Sequence, residues 1–102
     1  MATDKNYLNY VKDQLSGLPD VGYQAMMGEY LLRVRGRIVG GLYDDRLLVK
    51  PTASALRLLP DAPRELPYEG GKEMLLVEEI DDRDFLQTLL SAVADDLPAP
   101  RK

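Results

Sequence analysis

Apolar residues fall in three rhythms along this chain. Tyr7, Leu8, Val11 and Leu15 repeat at helical spacing, which predicts a helix over Asp4–Ser16 with Thr3 as N-cap and Gly17 just past its end. From Val21 the pattern becomes strand-like. Val21–Val34 reads as one extended segment, with Gly28 marking a bulge or a close backbone approach. Arg35-Gly36 lies in a hairpin loop, Arg37–Tyr43 forms a strand, Asp44-Asp45 a turn, and Arg46–Lys50 a strand ended by Pro51. A short helix over Thr52–Leu59 is enclosed by Pro51 and Pro60, and Asp61-Ala62-Pro63 is a loop. Glu65–Glu69 and Glu73–Glu78 read as a hairpin around Gly70-Gly71-Lys72. Helical spacing returns with Phe85, Leu86, Leu89, Leu90, Val93 and Leu97, in a helix that starts at an Asp81 N-cap and stops at Pro98.

The predicted order is α-β-β-β-α-β-β-α. So few helices can cover only one side of a sheet. The expected fold is therefore α+β and two-layer, an antiparallel five-stranded sheet with helices on one face. Residues 1–97 form a single domain and 98–102 a flexible tail.

Strand alternation divides the Tyr30–Lys50 segment into two faces. A three-residue loop around Gly36 would set Leu32 opposite Ile38. A two-residue Asp44-Asp45 turn would set Tyr43 opposite Arg46 and Leu42 opposite Leu47. One face then carries Tyr30, Leu32, Val34, Ile38, Gly40, Leu42, Leu47 and Val49, and is read as the core face. The other carries Leu31, Arg33, Arg35, Arg37, Val39, Gly41, Tyr43, Arg46, Leu48 and Lys50. Five cations and a tyrosine without a carboxylate make Arg33, Arg35, Arg37, Tyr43, Arg46 and Lys50 the candidate interaction face. Its plainest reading is a solvated sheet surface; the functional one is contact with an acidic chain, or a homodimer through Leu31, Val39 and Leu48.

Composition narrows the chemistry. The 102 residues contain no Cys, which excludes disulfides and thiol chemistry, and no His, which removes the commonest general base and the usual zinc ligand. An enzyme would have to work with Asp/Glu, Tyr or Lys, and no pair of these stands at a recognisable catalytic spacing, so none is expected. The net charge of −4 is unevenly spread: residues 1–50 hold seven Lys/Arg against six Asp/Glu, and residues 51–102 six against eleven. That balance disfavours direct nucleic-acid binding, as does a single aromatic on the basic face. The acidic groups Glu78-Glu79 with Asp81-Asp82, and Asp95-Asp96, match no calcium loop and read as helix capping. Gly40-Gly41 and Gly70-Gly71-Lys72 fit no phosphate-loop pattern; a helix packed over Gly40 and a hairpin turn at 70–71 explain them. No cofactor and no metal are expected. Tyr23, Tyr30, Tyr43 and Tyr68 could line a small-molecule pocket. With no apolar run long enough to span a bilayer and no leader-like start, the expected location is cytoplasmic, without membrane contact.

Met26-Met27-Gly28-Glu29-Tyr30-Leu31-Leu32 resembles the M-F-G-G-Y-G-L opening of the TfoX/Sxy N-terminal domain. Tyr43-Asp44-Asp45-Arg46-Leu47-Leu48-Val49-Lys50 resembles that family's D-x-x-L-Y-L-K strand. Glu29 and Leu31 stand where the family pattern has glycines. The resemblance implies a two-layer α/β domain of the element order above, here as a stand-alone copy without the C-terminal helical domain. Full-length relatives are implicated in switching on DNA-uptake genes, which implies a bacterial protein-interaction module linked to transcription and competence regulation. No catalytic residues come with the family. The alternative is a small-ligand-binding or sensing module with a pocket between sheet and helices.

Overall fold

A computed structural model describes residues 3–98. Residues 99–102 of the expected tail lie outside the described residues. The elements are α1 (Lys5–Gln14), β1 (Val21–Met26), β2 (Glu29–Val34), β3 (Arg37–Leu42), β4 (Leu47–Val49), α2 (Ala53–Leu58), β5 (Arg64–Glu65), β6 (Met74–Val77) and α3 (Arg83–Asp96). They build an α+β domain on one antiparallel sheet in the order β1-β2-β3-β4-β6-β5. The sheet has six strands, not five.

The extra strand comes from Met27-Gly28. Both residues take positive φ, 50° and 87°. That is a two-residue turn whose twist suits a hairpin, so Val21–Val34 folds back on itself with Met26 opposite Glu29. Arg35-Gly36 (φ 52° and 80°) and Asp44-Asp45 (φ 52° and 59°) repeat the device. The Asp44-Asp45 turn sets Leu42 opposite Leu47, and Tyr43 and Arg46 exchange backbone hydrogen bonds of 2.9 and 3.0 Å, as expected.

The loop at Gly36 differs from expectation. It has two residues, not three, so Val34 pairs with Arg37 and Arg33 with Ile38. A bulge then inserts Val39, after which Leu32 lies opposite Gly40 rather than Ile38. A short loop plus one bulged residue restores the parity that a three-residue loop would have set. Ile38 and Val39 exchange faces, as does Arg37 at the hairpin end: Val39 is fully buried in the core, and Ile38 turns to the opposite side.

The core lies between one sheet face and the helices. Leu8, Val11 and Leu15 come from the first helical segment, and Leu86, Leu89, Leu90 and Val93 from α3. They pack on Leu32, Val34, Leu42, Leu47 and Val49. Each such side chain contributes about 1.5–3 kcal/mol of transfer free energy. Both long helices start one residue later than the spacing suggested. Asp4, not Thr3, caps α1 through Asn6 N, and Asp82, not Asp81, caps α3 through Phe85 N. Asp81 instead accepts a hydrogen bond from the Tyr10 hydroxyl. Thr52 caps α2, and β5 and β6 are shorter than expected, joined by an irregular 66–73 segment rather than a tight hairpin.

Candidate functional site

The six residues of the predicted interaction face do not stay together. Arg35 sits in the turn and reaches across to α3. Its guanidinium donates to Ser91 Oγ (3.3 Å) and Ser91 O (3.2 Å) and pairs with Asp95 at 2.5 Å. Arg37, opposite core-facing Val34, donates to the Pro98 carbonyl (3.2 Å). Both therefore fasten the helical layer and are corrected out of the candidate face. The two-residue loop is the cause, because it turns the positions at the hairpin end toward the core side.

Arg33, Tyr43, Arg46 and Lys50 remain on the outer face. Arg33 donates to the neutral Gln24 side chain on β1 (2.9 Å). Arg46 is neutralised by Glu65 (2.6 Å) and also donates to the Tyr43 carbonyl. Lys50 makes no ion pair among the described residues. Of the three residues expected to serve a homodimer, Val39 and Leu48 are fully buried and Leu31 is half-buried on the outer face.

The outer face also has an apolar centre of its own. Tyr43, Leu48 and Met74 are buried there, flanked by half-buried Met26, Leu31 and Leu76. The Tyr43 ring lies on Gly41, where a Cβ would come within 2.7 Å of it. Burial pushes the Tyr43 hydroxyl above its ordinary pKa, with Tyr68 and Glu29 adding to the rise. That phenol stays neutral and able to donate at physiological pH. Glu29, at a position where a glycine was expected, is a clip. It accepts from the Thr3 hydroxyl (2.8 Å) and from Asp44 N (3.1 and 3.2 Å), holding the Asp44-Asp45 turn beside the start of α1.

Beside this centre, the 66–73 segment and the end of β4 enclose a cleft of about 670 Å³. Ile38, Tyr43, Met74, Pro51, Pro67 and Tyr68 form its apolar walls, and Lys50, Lys72 and Glu73 supply its charges. The rings of Tyr43 and Tyr68 meet at 6.2 Å and 60°. The other two tyrosines considered for a pocket, Tyr23 and Tyr30, pack against the main core instead. The cleft is on the sheet face away from the helices, whereas the ligand-binding alternative placed its pocket between the layers. Pro67-Tyr68 and Gly70-Gly71-Lys72 were readable as turn chemistry. Nothing in their spacing placed them over Lys50, because that contact depends on β6 pairing with β4.

The acidic groups serve structure. Asp96 accepts from Ser54 N (2.7 Å) and Ser54 Oγ (3.1 Å) and so caps α2 from the end of α3. The Ser54 backbone hydrogen bond, helped by Thr52 and the Ser54 hydroxyl, holds its carboxyl below the ordinary value. Among the described residues no group of three or more Asp/Glu could hold a metal ion, and no helix is long and apolar enough to cross a membrane.

No family model matches the chain, and no solved structure matches it significantly. It is 35% identical over 102 residues to a protein of Spirochaeta aurantia described as an uncharacterized 12.7 kDa protein in the trpE 5′ region. The match takes in 99% of this chain and 89% of the relative. A match at that identity over nearly the whole of this chain takes in the helices, the strands and the cleft segment, and the chain belongs to the family of that Spirochaeta aurantia protein.

Proposed function

We propose that the domain is a non-catalytic protein-interaction module of the TfoX/Sxy N-terminal type. It works in the cytoplasm in transcription or competence regulation and receives an acidic partner on the outer sheet face. One observation carries this reading. Among the described residues no helical side chain joins the apolar cluster on that side of the sheet, and Arg33, which donates to neutral Gln24, stands on the same face as the half-buried apolar residues Met26, Leu31 and Leu76. Apolar contact area beside an unneutralised cation suits a protein surface that supplies carboxylates. The segments that carry the TfoX/Sxy resemblance, 26–32 and 43–50, contribute strands to this face.

The test is affinity capture from the source organism at low and high salt, with Arg33→Glu as the probe. Arg57→Glu on the exposed side of α2 is the control. An outer-face partner is retained by wild type and Arg57→Glu, released by salt, and weakened about tenfold or more by Arg33→Glu. A partner held equally by Arg33→Glu overturns the reading. Alanine at Arg33, Arg35 and Arg37 together is a poor probe, because two of the three hold α3.

A further inference from the structure

The cleft between β4 and the 66–73 segment has the build of a small-molecule site rather than of a protein footprint. Its volume, about 670 Å³, lies inside the range of roughly 300–1,000 Å³ typical of ligand pockets. It is framed by groups with little freedom to collapse. Pro51 and Pro67 have fixed φ, and Pro67 is buried. Gly71 packs so closely that a Cβ there would come within 3.0 Å of Pro67 and 3.1 Å of Tyr68. The Tyr43 ring is seated on Gly41.

Its chemistry is selective. The walls are aromatic, prolyl and aliphatic, and Tyr68, more than half exposed beside buried Tyr43, leaves ring surface for a further flat group. Lys50 and Lys72 bring two ammonium groups to the rim, and neither pairs with a carboxylate among the described residues. Glu73 also lines the rim and offsets one of those charges, so the cleft keeps a single net positive charge in a chain of net −4. Neither tyrosine hydroxyl forms a hydrogen bond with a described residue, which leaves two hydroxyl donors in the cleft that the lysines also line.

We propose that this cleft binds a small aromatic anion, its ring lying against Tyr68 and the prolyl walls, with Tyr43 at the floor, and its carboxylate or phosphate held by Lys50 and Lys72. This site shares the outer face with the partner surface proposed above but is lined by none of Arg33, Met26, Leu31 and Leu76, so each can fail without the other. The ring supplies buried apolar area, and the charge-assisted hydrogen bonds fix its orientation. A neutral ring would leave the net positive charge of the cleft without a counter-charge, and a cationic one would be repelled.

The experiment is amide chemical-shift mapping on the full chain with four probes: benzoate, phenyl phosphate, benzylamine and inorganic phosphate. Benzoate or phenyl phosphate is expected to shift the amides of Lys50, Tyr68, Gly71 and Lys72, at least tenfold more tightly than benzylamine. Whichever of the two binds tighter identifies the anionic group. Lys50→Gln and Tyr68→Ala each weaken that binding about tenfold, and both are partly exposed positions whose change leaves the core alone. Tyr43→Phe, which keeps the ring on Gly41, weakens it less, while Arg33→Glu leaves it unchanged. Benzylamine binding as tightly as benzoate, inorganic phosphate reproducing every shift, shifts mapping to another face, or no shift with any probe at millimolar concentration each overturn the proposal.

Discussion

Replacing Gly40 by alanine tests the central irregularity of the sheet. A Cβ on Gly40 would stand 2.1 Å from the Leu48 carbonyl oxygen and 2.8 Å from Val49 Cα. An unstrained carbon-to-oxygen approach is about 3.3 Å or more, so β3 and β4 would have to separate by about 1 Å. No rotamer relieves this, because the obstructing atoms are backbone. Overpacking of this kind costs about 1–3 kcal/mol. Losing a neighbouring ladder hydrogen bond, such as Lys50 N to the Val39 carbonyl (2.9 Å), adds about 1 kcal/mol for each bond broken. Gly40→Ala should therefore lose about 3–4 kcal/mol, much of the stability of a domain this size, and lower the Tm by roughly 12–30 °C. Gly22→Ala is the internal control. It sits in the same sheet, its nearest neighbour would be Arg33 Cβ at 3.9 Å, and its φ is not positive. There the smaller entropy of the unfolded chain should stabilise the fold by about 0.4–1 kcal/mol. Urea unfolding followed by circular dichroism reads both. A loss below about 1 kcal/mol in Gly40→Ala, or equal losses in the two variants, would refute the bulge-driven close approach of β3 and β4.

Two further outcomes follow from the turns and caps. Met27 is fully exposed and holds a φ of 50°, so Met27→Asn removes left-handed strain and no packing. It should raise stability by about 0.5–1 kcal/mol, and a lower urea midpoint would count against the Met27-Gly28 hairpin. Asp96 has its folded-state pKa lowered by the hydrogen bonds of Ser54 and Thr52. Its stabilising effect is thus present above the ordinary value of 3.8 and lost as pH falls through the folded pKa. Asp96→Asn should be less stable than wild type at neutral pH and converge with it in acid; a gap that persists unchanged in acid would show that the cap does not depend on charge.

Much of the architecture was legible from spacing because helix and strand periodicities are local. Leu8, Val11 and Leu15 of the first stripe and Leu86, Leu89, Leu90 and Val93 of the last are buried, Tyr7, Phe85 and Leu97 are partly so, and Tyr43–Arg46 closes a two-residue turn. What spacing missed has specific physical causes. Met27 is a poor turn former, so its hairpin read as a continuous strand with a kink. The bulge at Val39 is invisible to alternation because the short loop before it cancels its effect beyond Gly40. The cap assignments slipped by one residue because Thr3-Asp4 and Asp81-Asp82 each offer two side chains able to accept from the first turn. Tertiary contacts decide between them: the Thr3 hydroxyl donates to Glu29, and Asp81 is engaged by Tyr10.

The sequence by itself determined the α+β class, the helical and strand segments, the apolar set that forms the core, and the exclusion of His and Cys chemistry. These follow from composition and from periodicities of a few residues. Only the tertiary structure decided where the charged residues point and what gathers around them. Arg35 and Arg37 share a run with Arg33 yet fasten α3, because a single residue of loop length turns a side chain to the opposite face. Lys50, Tyr68 and Lys72 are distant in sequence and meet only because β6 crosses to pair with β4. Charge signs can be read along a chain, but a binding surface requires groups from several strands to converge, and the sheet order sets that convergence.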